Sequence, residues 1–473
     1  MTTSYPAQIP RTIKMLRSDI IAAISTPPGK GGVALIRLSG EGAIALADKF
    51  FRTASGRGVR DYPLRTQIYG YVTDGERTVD DGMLTCFGKG ASYTGEETVE
   101  ITCHGGILVS ELVLATILKA GARAAEAGEF TRRAFLNGRL SLSDAEAIGL
   151  LLEAKSEEQI ALAGKDSRDK LSEKIRAIAK KMTELLGSVY ARIDYPDEDL
   201  GDFTDSEMLA MLVEIGRELD LLIATYKTGH SIAEGIRTAI VGKPNVGKSS
   251  LYNLLCGRDA AIVTDIAGTT RDVLEDTVTL GKVTLRLADT AGIRADSADP
   301  VEKIGIERSL SQLAESELIL AVIDAADGMD GTIAASVQNS SAAKIAIYNK
   351  VDKVGTGFAP ECPEGFDRAI AVSATASPDE AIEAIRASVE DLFIDGRISV
   401  GSDAIVSSAR QRAELAEASE AISAAISALE VGVFADAVSS DVEIALGAVS
   451  RVDGRAVSEA VVDNIFSRFC VGK

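Results

Sequence analysis

Between residue 19 and about residue 120, apolar and polar positions alternate over short runs, at 20–25, 33–38, 67–72, 82–87 and 98–103, each bounded by turn residues and each predicting a strand. Two stretches between them, 42–51 and 107–120, carry helical spacing, so this part reads as an α+β domain. From Gly128 onward the pattern turns helical. Leu171, Ile175, Ile178, Met182, Leu185 and Val189 recur at steps of three and four, which predicts a long helix with one buried seam, the core of a helical bundle. Ser143-Asp-Ala-Glu146 predicts a helix start, Pro196 interrupts the helices inside an acidic segment, and 207–226 resumes them. Buried strands are then predicted at 236–241, 283–288, 345–348 and 369–372. Helix returns at 405–429, with Leu415, Ile422, Ile426 and Leu429 on its apolar face, and two shorter helices carry the chain to Phe469.

The helices on either side of the 233–395 stretch are alike in character. The economical architecture is therefore one helical domain with an α/β module inserted into one of its loops. The expected limits are a flexible extension at 1–18, an α+β domain at 19–135, the first part of the helical domain at 136–232, the inserted module at 233–395 and the second helical part at 396–473.

The module carries the chemistry. Its first strand runs into Gly242-Lys-Pro-Asn-Val-Gly247-Lys248-Ser249 and a helix at 249–256, an arrangement that aims successive backbone N–H groups at phosphate oxygens. In this loop Asn245, Val246, Gly247, Lys248, Ser249 and Ser250 are the candidate phosphate-binding residues, with Lys248 supplying charge and the Ser249 hydroxyl a Mg²⁺ ligand. A second polar stretch, Thr264, Asp265, Ile266, Ala267, Gly268, Thr269 and Thr270, places hydroxyls where a loop can fold over a γ-phosphate, and Thr270 is the second Mg²⁺ candidate. A third, Asp289, Thr290, Ala291 and Gly292, puts a carboxylate at a strand tip and a glycine beside the γ-phosphate. Asn349, Lys350 and Asp352 follow one predicted strand, and Ser373 and Ala374 follow another. These read guanine: the Asp352 carboxylate accepts from the ring N1–H and the exocyclic amine, whereas adenine offers an unprotonated nitrogen there. A GTPase of the P-loop, Ras-like class is expected, binding GTP and GDP.

Composition narrows the setting. With 473 residues and 46% hydrophobic residues the chain should form about three soluble domains. A net charge of −20 argues against a general nucleic-acid-binding surface, so any RNA contact must be local. The five cysteines, Cys86, Cys103, Cys256, Cys362 and Cys470, show no CxxC pairing, and the two histidines, His104 and His230, are too scattered for a zinc site. His104 reads as a structural or pocket-wall group. No apolar run approaches the ~18 residues needed to span a bilayer, which makes a membrane partner unexpected and a cytoplasmic location the expectation. Arg11, Lys14 and Arg17, with no acid before Asp19, leave a transit peptide as the alternative to a flexible extension.

Taken together, the chain resembles the MnmE (TrmE) family of tRNA wobble-uridine modification GTPases, over nearly its whole length after residue 18. The resemblance rests on Pro27-Pro-Gly-Lys-Gly-Gly-Val-Ala-Leu-Ile-Arg37, Gly128-Glu-Phe with Arg133-Ala-Phe-Leu-Asn137, Thr264 to Asp272, Ile304-Gly-Ile-Glu-Arg308 and the terminal Phe469-Cys-Val-Gly-Lys473. It implies a homodimer whose N-terminal domain dimerises and holds a one-carbon folate, 5-formyltetrahydrofolate or 5,10-methylenetetrahydrofolate. It also implies a flavoprotein partner, MnmG, in a heterotetramer, and tRNA as substrate. Carried over by position, the folate contacts are Arg37, Glu100, Arg139 and Lys473, with Arg139 standing where many members have lysine. A potassium ion is implied at Asn245, Thr264, Ile266 and Thr269. The catalytic positions implied are Glu302, which orients the attacking water, and Cys470, whose thiol is either a nucleophile or a packed side chain. Two other classes stay open: a ribosome-assembly GTPase, which predicts a basic RNA-binding domain that the sequence lacks, and a folate-dependent transferase in which GTP only regulates.

Overall fold

The structure, a computed structural model, describes residues 19–75, 77–194, 204–259, 276–287, 315–328, 331, 337, 340–355, 357–432, 435–455, 457–467 and 469–472. The chain divides into two compact units, 1–149 with 179–202 and 434–473, and 150–178 with 203–433.

In the first unit a seven-stranded sheet is built from β1 (Ile21–Ile24), β2 (Val33–Ser39), β3 (Phe51–Thr53), β4 (Gln67–Thr73), β5 (Thr78–Phe87), β6 (Thr98–His104) and β7 (Arg123–Ala124), in the order β3-β4-β5-β6-β2-β1-β7. Two helices, α1 (Ala43–Phe50) and α2 (Ile107–Ala120), cover one face, where Ile36, Leu38, Val99 and Ile101 pack with Leu46, Phe50, Val113 and Ile117. Because strand side chains alternate, the neighbours Arg37 and Glu100, paired in register between β2 and β6, stand on the other face. The two shortest strands, β3 and β7, are the ones the alternation does not announce.

The helix α3 (Glu129–Leu136) buries a charge. Arg133 is 1% exposed and donates to the Asp19 carboxylate and backbone carbonyl, to Glu96 and to Glu129, while Arg123 reaches Asp19 and Glu129. Burial pushes the Glu129 carboxyl up, but bonds from Arg123, the Glu126 N–H and Arg133 outweigh it and hold the group ionised. A guanidinium removed from water needs such acceptors; here they engage both terminal nitrogens, while the buried Nε has no partner.

The helix α4 (Leu142–Glu153) begins two residues before the expected start. Ser141 is the cap: its hydroxyl accepts from the Asp144 N–H, and the Asp144 carboxylate accepts from the Ser141 N–H. Ser143 instead donates to the Val452 carbonyl. After α5 (Glu157–Ala163), α6 (Lys165–Asp194) realises the long predicted helix, and its six seam residues are all buried, from 6% exposure at Leu171 to 0% at Ile178 and Met182.

In the second unit α7 (Asp205–Ala224) is opened by a capping box between Thr204 and Glu207, then broken at Thr225 from α8 (Tyr226–Ala233). A six-stranded sheet follows: β8 (Ile236–Val241), β9 (Asp276–Leu280), β10 (Val283–Leu287), β11 (Leu318–Asp324), β12 (Ala343–Asn349) and β13 (Arg368–Ala371), in the order β13-β12-β11-β8-β10-β9. All neighbours are parallel except β9 and β10. The helices α9 (Lys248–Asp259) and α10 (Pro378–Phe393) close its core. The helix α11 (Ala409–Glu430), capped by Ser408, starts four residues later than the expected 405; Ile405 and Val406 are buried ahead of it, with the Val406 N–H donating to the Thr225 hydroxyl. It lies along α7, where Ser419 donates to Asp220. In the first unit, α12 (Ala435–Val452) and α13 (Glu459–Phe466) complete the chain. Among the described residues no helix is long and apolar enough to cross a membrane.

Candidate functional site

In an open parallel sheet, ligands collect at the carboxyl ends of the strands where the strand order reverses. Here that point is the end of β8, flanked by β10 and β11. The chain leaves it through a loop that only glycine permits at two positions. A Cβ on Gly242 (φ 155°) would lie 2.4 Å from the Val322 carbonyl oxygen, and one on Gly247 (φ 104°) would lie 2.2 Å from the Asn349 amide nitrogen. Asn245 takes the left-handed conformation between them, with φ 64°.

Lys248, the first residue of α9, folds its ammonium back over the loop to donate to the carbonyls of Gly242 (2.8 Å) and Lys243 (2.7 Å). Burial pushes this ammonium below the usual lysine range. The positive end of the α9 dipole adds to it, so the loop is a cup for anions. Val246, Gly247, Ser249 and Ser250 line the same turn into α9.

The predicted base-reading residues converge on this loop from β12 and β13. Asn349 is 3% exposed and both ends of its amide are used: it donates to the Val246 carbonyl (3.0 Å) and accepts from the Ala374 N–H (3.1 Å). It therefore braces the phosphate loop against the 373–374 turn. Lys350, itself at φ 62°, donates to the Asn245 carbonyl (2.5 Å) and to Asp324 (2.8 Å). Asp352 is exposed, with one carboxylate oxygen held by the Ser373 hydroxyl at 2.5 Å. Lys350 and Asp324 form a strut that sequence reading missed on the Asp324 side; the only signal was an acid at the end of an apolar strand. Thr264, Asp265, Ile266, Ala267, Gly268, Thr269, Thr270, Asp289, Thr290, Ala291, Gly292 and Glu302 lie outside the described residues.

The second group of predicted residues sits in the first unit. The Arg37 guanidinium is 2.9 Å from Glu100 and stands over the rings of Tyr93 (5.3 Å) and Phe130 (5.8 Å). Tyr93 and Phe130 were not assigned from sequence, although Phe130 lies in one of the motifs that carry the resemblance. Arg139 is exposed, and its stem packs over Gly95. The chain end folds back onto the same unit: Val471 bridges to Ala127, the Gly128 N–H donates to the Cys470 carbonyl (3.4 Å), and the Gly472 carbonyl accepts from the Ser25 hydroxyl (2.9 Å). Phe466 and Phe469 anchor it beside α4. Cys470 is exposed, and Lys473 lies outside the described residues. The His104 ring and backbone N–H engage the two oxygens of Asp80, each at 2.8 Å.

A mostly parallel sheet whose central strand opens into this lysine-bearing loop, with Asp352 beyond the strand two places away, is that of a P-loop GTPase. Over 462 residues, 97% of this chain and 100% of the other, it is 38% identical to the tRNA modification GTPase MnmE of Clostridioides difficile (strain 630). The chain belongs to the MnmE family of tRNA modification GTPases. The family models for the GTP-binding protein TrmE N-terminus and the MnmE helical domain match residues 20–139 and 142–470. The MnmE of Moorella thermoacetica is 39% identical over 467 residues, covering 96% of this chain and 99% of that one. A crystal structure of a variant of Aquifex aeolicus Era bound to GDP.AlF4- is 25% identical, covers 39% of this chain and 66% of that one, and has a TM-score of 0.24.

Proposed function

We propose that the protein acts as a homodimer with the flavoprotein MnmG to add an aminomethyl or carboxymethylaminomethyl group to carbon 5 of the wobble uridine of certain tRNAs in the cytoplasm. The one-carbon unit comes from 5-formyltetrahydrofolate or 5,10-methylenetetrahydrofolate, and GTP hydrolysis is stimulated by potassium as the two GTPase modules meet. The supporting observation is the position of the chain end, which brings Cys470 onto the unit that holds Arg37 and Glu100.

The residues present fit a folate. A guanidinium fixed by a carboxylate and flanked by two aromatic rings suits a flat heterocycle with both donors and acceptors. Arg37 and Glu100 would hold it, with Arg139 and Lys473 as the further cations, and the bound folate would supply the carbon. Of the proposed metal ligands, Ser249 and Asn245 are among the described residues. Ser249 stands in the first turn of α9 as a hydroxyl ligand for Mg²⁺ with Thr270. Asn245 has an exposed side chain while its carbonyl is engaged by Lys350, which suits an amide-oxygen ligand for K⁺ beside Thr264, Ile266 and Thr269. The domain limits that go with this reading are 19–135 for the folate domain, 136–232 and 396–473 for the helical domain and 233–395 for the GTPase.

GTP turnover is expected to rise about tenfold when K⁺ replaces Na⁺, because an oxygen cage of this kind suits a large hard cation that offsets charge developing between the β- and γ-phosphates. Asn245→Ala should abolish the difference; equal wild-type rates in the two salts reject the potassium site. Mass analysis of wobble nucleosides tests the pathway. Unmodified uridine should accumulate in a strain lacking the gene, and Cys470→Ser should lower modification while GTP turnover stays intact. Unchanged nucleosides in the deletion strain would sink the whole reading, and full modification by Cys470→Ser would remove the thiol from it.

A further inference from the structure

The geometry points to Tyr252 as a positioning residue for GTP hydrolysis, acting through Asp276; we propose that this pair fixes the ends of β9 and β10 against α9. The inference rests on the reading of residues 242–250 as the phosphate loop.

Tyr252 lies on α9, four residues after Lys248 and three after Ser249, so it belongs to the same helix and stands one turn deeper in the fold. It is 4% exposed and packs in the core with Leu251, Leu255, Val278 and Leu280. At such a position a phenylalanine ring would fill the same space. A buried hydroxyl is a cost unless it finds a partner, and this one donates to the carboxylate of Asp276.

Asp276 is where the consequence lies. It is the first residue of β9, six residues after Thr270 in the chain. It also pairs in register with Leu287, the last residue of β10, which stands two residues before Asp289. The Tyr252 hydroxyl thus ties the helix carrying Lys248 and Ser249 to the paired strand ends from which both stretches depart. Drift of the β9 and β10 ends relative to α9 shifts the points at which the chain enters β9 and leaves β10. Groups that must meet a γ-phosphate and its metal tolerate little such drift, since misplacement by about 1 Å can cost on the order of 10²-fold in rate.

The test is steady-state GTP hydrolysis by the full chain carrying Tyr252→Phe, Asp276→Ala, Asp276→Asn or both Tyr252→Phe and Asp276→Ala, with GDP affinity and thermal midpoint measured alongside. Tyr252→Phe and Asp276→Ala are each expected to lower kcat about tenfold, with KM and GDP affinity within about twofold of wild type. Asp276→Asn should retain the wild-type rate, because its side-chain carbonyl still accepts from the phenol, and the double variant should be no slower than either single one. Wild-type kcat in Tyr252→Phe, additive losses in the double variant, or kcat and GDP affinity falling together with the thermal midpoint would each overturn the proposal. A wild-type protein that binds no GTP would instead overturn the phosphate-loop reading on which it rests.

Discussion

Asp352→Asn is expected to lower affinity for GTP by on the order of 10³-fold while creating affinity for xanthosine triphosphate. The carboxylate stands in a short turn, Val351–Lys353, directly after β12, and the preceding Lys350 adopts φ 62° to aim the turn across the sheet end. One of its oxygens is held by the Ser373 hydroxyl, and the side chain is otherwise exposed, as a group that meets a ligand must be. Guanine presents two donors there, the ring N1–H and the exocyclic amine. An asparagine amide would set its own NH₂ against one of them and leave a donor unpaired. Xanthine carries a carbonyl in place of the amine, and the same NH₂ then finds an acceptor. The substitution leaves the fold intact, because the side-chain oxygen of asparagine still accepts from Ser373. Nucleotide competition binding reads the outcome directly. Strong ATP binding by the wild type, or undiminished GTP binding by the variant, would show that Asp352 does not read the base.

The elements legible in the sequence are those whose signal is local. The apolar runs around Ile236–Val241 and Val283–Leu287, the seam of α6 and the Gly242 to Ser249 loop each declare themselves within a few residues, because strand alternation, helical spacing and glycine backbone freedom act at that range. Apart from β9 and β11, which were not predicted from the sequence, what escaped is made by partners distant in sequence. Asn349 reads as a base contact from its motif, and only the fold shows that one donor and one acceptor site of its amide are taken by Val246 and Ala374, 103 and 25 residues away. Arg133 belongs to a motif without a stated role, and only the fold shows it buried among Asp19, Glu96 and Glu129. The cap of α4 was placed at Ser143 because Glu146 mimics the partner of a capping box; Ser141 and Asp144 make the box instead, and Ser143 is taken by Val452. Tyr252 carries no signal of its own in the sequence; its significance lies in Asp276, 24 residues on.

Glu302→Ala is expected to cut GTP turnover by on the order of 10²-fold while nucleotide affinity stays near wild type. Ras-like GTPases place a glutamine just after Asp-Xaa-Xaa-Gly to orient the attacking water. Here Gly292 is followed by Ile293, whose side chain cannot hydrogen-bond a water. Around the loop, Lys248 and Lys350 are cations held by loop carbonyls, and one donor and one acceptor site of the Asn349 amide are engaged. We place the water-orienting group in another part of the chain. Downstream of the gap runs Ala295-Asp-Ser-Ala-Asp-Pro-Val-Glu302, and family resemblance singles out Glu302, immediately before Lys303 and the Ile304-Gly-Ile-Glu-Arg308 motif, over Asp296 and Asp299. A carboxylate close to the γ-phosphate would suffer like-charge repulsion, so Glu302 acts best through a bridging water, as an orienting group and not as a strong base. That assignment separates the two kinetic quantities. An orienting group is felt in the transition state, so its loss appears in kcat, whereas GTP and GDP affinities, which depend on the phosphate loop and Asp352, are preserved. Glu302→Gln should recover part of the rate, since an amide can still orient water. A collapse of nucleotide affinity in Glu302→Ala, or a wild-type rate there combined with loss of turnover in Glu307→Ala, would move the water-orienting role to Glu307.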